Sequence, residues 1–209
     1  AASGGADHAE AGGMTGRPMV TLGGVQVLVP YVAMWSSERG SYAIRPCKHA
    51  NGRMAVFATS GGYGQGRPVL GKMSETRQRE VVARRLCQVC REPLLGGCGY
   101  ALEPPHGTCR IGLVPFPLML EPLACERCAR LALAHCPGVR RFMSDPAYAV
   151  LRVTRYEPVA QLIGPDGSGD EVDQALAAYQ GDEPPVGYLK LALTAFSRVA
   201  PTDLLTRAA

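Results

Sequence analysis

Two cysteine pairs, Cys87-Gln88-Val89-Cys90 and Cys125-Glu126-Arg127-Cys128, stand 34 residues apart in the chain. A two-residue gap lets a tight turn present both thiolates to one ion, and Zn2+ takes four such soft ligands in a tetrahedron. The spacing therefore predicts a four-cysteine zinc site built from Cys87, Cys90, Cys125 and Cys128. Four thiolates fill the coordination sphere and leave no position for substrate water, so the expected role of the metal is structural. The competing use of the same residues is two unconnected buried thiol pairs, because free cysteine packs as a small apolar side chain.

Other residues carry weaker chemistry. Cys98 and Cys109, with His106 nearby, offer part of a second site, and Cys47-Lys48-His49 offers further ligands or a nucleophile and base. The competing reading for these thiols is simple packing, and Cys136, in His135-Cys136-Pro137, reads as a core or capping residue. Trp35-Ser36-Ser37-Glu38 could line an enzyme site together with Cys47 and His49. Ser60-Gly61-Gly62-Tyr63-Gly64-Gln65-Gly66-Arg67 lacks the Gly-Lys-Ser/Thr ending of a phosphate loop. Arg67 also stands where the dinucleotide spacing needs its last glycine, so the stretch reads as a flexible surface turn.

The elements that must position these groups are partly legible. Ala1–Pro18 is small, polar and Gly-rich and is expected to be mobile, with Met14 a candidate start. Met19–Leu22 and Val25–Val29 are β-branched runs around Gly23-Gly24, and Tyr42–Ile44 and Met54–Ala58 bracket Asn51-Gly52. Both read as hairpins, so residues 19–70 are expected to form a small antiparallel sheet. Ser74 is placed to cap a helix through Glu75 to about Leu86, with an arginine-rich face. A second helix is expected from about Cys125 to Ala134, ended by Pro137-Gly138, with Cys125 and Cys128 on one face of its first turn. Tyr148–Thr154 reads as a strand, Gly164–Gly169 as an acidic loop, and Gly187–Phe196 as either strand or helix. The expected organisation is α+β in four parts. These are a segment 1–18, a β-rich region 19–70, a helix and zinc-finger region 71–143, and a C-terminal α/β region 144–209.

A knuckle at Cys87–Cys90, then a hairpin, then a helix whose first turn donates Cys125 and Cys128 resembles a treble-clef zinc finger over about residues 86–136. The treble clef is also the core of the HNH nucleases, whose larger members carry the same two pairs. That resemblance implies an Asp-His or His-His pair on the hairpin, and an Asn and a further His for a catalytic metal. Between Arg91 and Ala124 this chain has His106 as its one histidine, and neither Asp nor Asn. Glu103, His106 and His135 are the nearest substitutes and match no such spacing. The order Trp35-Ser36-Ser37-Glu38, Arg77-Gln78-Arg79, Leu86–Cys90 and Cys125–Pro137 also resembles a group of proteins from actinobacterial genomes over about residues 28–155. This resemblance implies a zinc-site protein and no particular reaction.

Composition narrows the rest. At 209 residues and 46% hydrophobic the chain can bury an ordinary core without disulfides. No run approaches the roughly 18 apolar residues of a spanning helix. Ala1–Gly13 has neither the basic nor the apolar region of a secretory signal, so a cytoplasmic, reducing location is expected for the eight cysteines. Charge is uneven: residues 77–155 carry twelve basic and six acidic groups, residues 156–209 three and eight. The basic region 77–141 suggests a nucleic-acid partner, since arginine suits phosphate. A solvated basic face, a scaffold that meets a protein partner, and an enzyme remain the alternatives.

Overall fold

The computed structural model describes residues 17–163 and 170–206; the acidic stretch Gly164–Gly169 and most of the segment 1–18 lie outside them. Along the chain run β1 (Met19–Leu22), β2 (Val25–Leu28), β3 (Ala33–Trp35), β4 (Tyr42–Pro46), β5 (Met54–Ala58) and β6 (Pro68–Met73). Next come α1 (Glu75–Arg84), β7 (Gly99–Ala101), β8 (Thr108–Ile111), β9 (Val114–Met119), α2 (Glu126–His135) and α3 (Pro137–Arg140). The remainder is β10 (Val150–Leu162), α4 (Asp170–Ala177), β11 (Val186–Val199) and α5 (Pro201–Thr206). The protein is α+β, with a mixed sheet.

The centre is a seven-stranded sheet in which β4, β5, β11, β10 and β7 are neighbours in that order, while β9 pairs with β11 and β8 with β9. The long β10–β11 antiparallel pair runs from Val150↔Val199 to Leu162↔Val186, with register shifts around Arg155 and before Leu162. It extends well beyond the Tyr148–Thr154 strand expected from sequence, and it resolves Gly187–Phe196 as strand. That segment was ambiguous because Val186–Leu193 is nearly all shielded, so the alternation that marks a half-buried strand is missing.

Residues 19–70 form three separate β units rather than one sheet. The β1–β2 hairpin turns at Gly23 and Gly24, both at positive φ as a type I′ turn requires. β3 pairs with β6, whereas β4 and β5 join the large sheet, where Val186 of β11 lies parallel to Ala55. Membership of a sheet depends on partners more than 100 residues away, which local pattern does not encode. The Ser60–Arg67 turn is also tighter than a loose surface loop. A Cβ on Gly61 would meet the Ser37 backbone oxygen at 2.3 Å, and Ser37 Oγ donates to Gln65 O at 2.8 Å.

The largest correction concerns α1. Its Arg77-Gln78-Arg79 run faces inward, with Arg79 and Gln78 fully buried and Arg77 nearly so. Gln78 donates to Leu120 O (3.0 Å) and Leu189 O (2.7 Å) and accepts from Leu189 N (3.0 Å), tying α1 to β11. Arg79 donates to Val56 O at 2.6 Å and to Gly187 O, and lies 4.7 Å over the Phe57 ring. Arg77 forms a two-pronged pair with Glu38 (2.6 and 2.7 Å) and reaches Tyr31 O and Ala33 O, both at 2.7 Å. The helix is therefore a polar strut inside the protein. Its arginines satisfy backbone carbonyls at strand ends, which would be costly to bury unpaired.

Candidate metal centre

The first cysteine pair sits where α1 reverses. Arg85 caps that helix in the left-handed conformation (φ 53°), and Leu86 bridges Pro93 across the turn. Cys87 N donates to Glu92 O and Arg91 N to Cys87 O, both at 2.8 Å, closing a knuckle around the two thiols. Arg91 also takes a positive φ (59°), which lets the chain turn back within so few residues.

The chain then forms β7, runs out through the β8–β9 hairpin, and returns so that Ala124 pairs with Tyr100 (2.8 and 3.0 Å). Cys125 follows at once as the N-cap of α2, in extended backbone, and Cys128 sits one turn later. The positive end of a helix favours thiolate at these positions. At the far end Cys136 closes α2, but Pro137 does not simply stop the helix. It occupies the first turn of α3, where its missing N–H costs nothing.

These two segments bring the four sulfurs together. Cys87, Cys90, Cys125 and Cys128 each offer a sulfur within 4.8 Å of every other, and Cys90 Sγ lies 3.7 Å from Cys125 Sγ. Four sulfurs at a Zn–S bond of about 2.3 Å around a tetrahedral ion stand about 3.8 Å apart, close to the Cys90–Cys125 separation, so the cage is compatible with a zinc ion. A disulfide would bring two sulfurs to about 2.05 Å, and all eight cysteines are free. Cys87, Cys90 and Cys128 are buried and Cys125 is half-buried. The cage can hold a metal ion.

Its electrostatics point the same way. Crowded thiolates repel, so protons are shared unequally. Hydrogen bonds with Cys125, then with Cys128 and Cys87, pull the Cys90 thiol far down. Cys125, hydrogen-bonded first to Cys128, falls to about 7. Cys87 and Cys128, each bonded first to Cys125, are pushed up. A divalent cation would replace the protons and relieve this crowding. Cys125 N also donates to Cys87 Sγ at 3.2 Å, the kind of support that orients a ligand.

Contacts absent from the sequence reading brace the knuckle. Arg17, in the segment expected to be mobile, donates to Cys90 O and pairs with Glu92 at 2.9 Å. Tyr31 N and Val32 N donate to Val89 O and Gln88 O at 3.1 and 3.2 Å, and Gln88 N donates to Leu123 O at 2.9 Å. Nothing local to Arg17 or Tyr31 signals these partners, which lie nearly 60 or more residues away.

The other candidates stay apart. Among the described residues only the four cysteines above form a metal-sized cluster, so Cys98, Cys109 and His106 do not assemble a second one. His106 pairs with Glu103 at 3.2 Å, and Cys98 Sγ points to Gly96 O. Cys47 is in the core beside Arg79, while His49 is half-buried on the short turn Lys48–Ala50, where burial lowers its pKa. Glu38 is committed to Arg77 and to Trp35 N (2.7 Å), so Trp35–Glu38 serves the fold. No helix among the described residues is long and apolar enough to cross a membrane. Comparison with protein-family models, with curated proteins and with solved structures finds no match to this chain.

Proposed function

We propose that this is a zinc-binding protein in which Cys87, Cys90, Cys125 and Cys128 hold one structural Zn2+. The observation that carries the reading is the four-sulfur cage, every pair within 4.8 Å, formed by two segments 34 residues apart. The order of knuckle, paired strands at Tyr100 and Ala124, and a helix capped by the third ligand supports a treble-clef arrangement. Free thiols and a thiolate cage suit the reducing cytoplasm. Metal analysis of protein purified without chelator tests this. About one equivalent of zinc is expected, lost in Cys128→Ser. Less than half an equivalent in fresh protein refutes it.

We further propose that the zinc module associates with nucleic acid. Burial removes Arg77 and Arg79 from the basic surface, and Arg84 and Arg91 pair with Glu80 at 2.7 and 2.9 Å. What remains at the surface includes Arg130 of α2, Arg140 of α3 and Arg141 just after it, the last lying 3.9 Å from Glu103. Binding through phosphates must weaken steeply with salt. Anisotropy of a labelled duplex at low and moderate salt tests it, and affinity indifferent to salt overturns it.

A further inference from the structure

Among the described residues, the β8–β9 hairpin ends in a tip of exposed apolar side chains. Its strands pair from Thr108↔Pro117 to Ile111↔Val114 around Gly112, which turns at φ 62°. At the tip Ile111 is 41% exposed, Leu113 90% and Val114 52%. The base is anchored in the large sheet through Leu118↔Ala192 and Met119↔Leu191. From that anchor to Leu113 the strand spans about 16 Å at roughly 3.3 Å per residue.

The prolines of β9 explain why the hairpin stands free. Leu118 N donates to Gly107 O, so residues 118, 116 and 114 turn their N–H groups toward β8. Pro115 and Pro117 occupy the alternate positions, facing the side on which Met119 meets β11. Lacking N–H groups there, they end the β9–β11 ladder and leave the hairpin as an arm. The same prolines bar another strand from adding to that edge, and exposed Arg110 sits on the opposite strand. Both features disfavour strand pairing with a second copy or a peptide, so the arm must act through its side chains.

Charge selects the partner. Between Pro104 and Leu120 the ionisable groups are His106, Cys109 and Arg110, with no acid. Arg141, itself exposed, lies 3.9 Å from Glu103 at the arm's base. A two-stranded ribbon fits a duplex groove about 12 Å wide and 8.5 Å deep, and apolar side chains are known to wedge against base steps. We propose that the β8–β9 arm is a duplex-DNA contact element: Ile111, Leu113 and Val114 lodge against base edges while Arg110 meets the backbone. This rests on the nucleic-acid reading above and names the element and mode of contact.

The test compares zinc-loaded wild type with Ile111→Ser/Leu113→Ser/Val114→Ser on a labelled duplex containing 2-aminopurine, and on vesicles of phosphatidylcholine with anionic phosphatidylserine. Arg140→Gln/Arg141→Gln serves as the phosphate-contact variant. Zinc content and far-UV circular dichroism confirm that each variant folds, as expected for side chains this exposed. The expected result is at least tenfold weaker binding by the tip variant with an unchanged salt slope, and 2-aminopurine fluorescence enhanced by wild type alone. Equal affinity and equal fluorescence for the tip variant overturn the arm proposal and leave the nucleic-acid reading standing. Failure of wild type to bind duplex at low salt overturns both. Tip-dependent binding to vesicles without binding to duplex overturns both and makes a membrane the occupant.

Discussion

At the scale of single residues, two buried features are a four-cysteine cage and an internal ion pair. The cage was legible from spacing alone, because C-x2-C geometry is local and needs no knowledge of the fold. The ion pair was not. Arg77 and Glu38 stand 39 residues apart, and an arginine on a helix reads as solvated until its partner is known. The pair is almost sealed, with side-chain exposures of 9% and 7%. Glu38→Ala therefore leaves a buried guanidinium without its counter-charge and is expected to cost about 3–5 kcal/mol. Glu38→Gln keeps the hydrogen-bond acceptor and should cost less. Urea denaturation of the two variants measures both, and a loss under about 1 kcal/mol for Glu38→Ala would contradict the sealed pair. The cage gives a parallel expectation. Cys90→Ser should lose the metal, and the variant should melt well below wild type, because metal binding energy is folding energy in such modules.

Elements carry the next level of argument. The β1–β2 hairpin was readable because Gly23-Gly24 states its own turn, whereas the edges of the large sheet were not, since β5 and β11 meet across 130 residues. The proline pattern of β9 lay in the sequence, but its meaning depends on which edge each missing N–H faces. Restoring those donors with Pro115→Val/Pro117→Val should let the exposed edge pair and drive self-association. Sedimentation velocity across a concentration series checks this, and a strictly monomeric variant would contradict it. The segment that returns to α2 holds a second test. Burial raises the Glu121 carboxyl to about 7, with the neighbouring Glu103 carboxylate adding to the effect, against opposing contributions from Arg141 and Gln88. A carboxyl raised in the folded state binds a proton on folding. Its contribution is thus fully present below its unfolded value near 4.5 and is lost as pH climbs through about 7. Glu121→Gln should therefore gain on wild type between pH 5 and 8, by about 2 kcal/mol at the upper end. Urea midpoints at several pH values follow the difference, and a constant difference would remove Glu121 as the cause.

Across the whole molecule, the four-cysteine cage joins parts that are distant in the sequence. Three of its cysteines belong to the same core as Ala55 of β5, Val153 of β10, Leu191 of β11 and Leu204 of α5. The knuckle backbone also holds Tyr31 and Val32, and Arg91 lies 4.8 Å over the Tyr31 ring. The Tyr31 ring in turn lies tilted against Tyr63, centroids 5.3 Å apart, and Tyr63 meets Trp35 edge-on at 5.8 Å. Trp35 is the one tryptophan in the chain and is only 3% exposed, so its emission reports on a region outside the cage. If the cage anchors the N-terminal strands as these contacts imply, stripping the metal should release Tyr31 and Val32 and wet the indole. Chelation is then expected to shift Trp35 emission to the red, over the same range of chelator at which far-UV circular dichroism changes. Emission that stays blue after metal analysis confirms removal would mean the knuckle does not hold β3 in place. A red shift that precedes the backbone change would instead mark the N-terminal units as separately stable, folding on the metal module without sharing its cooperativity.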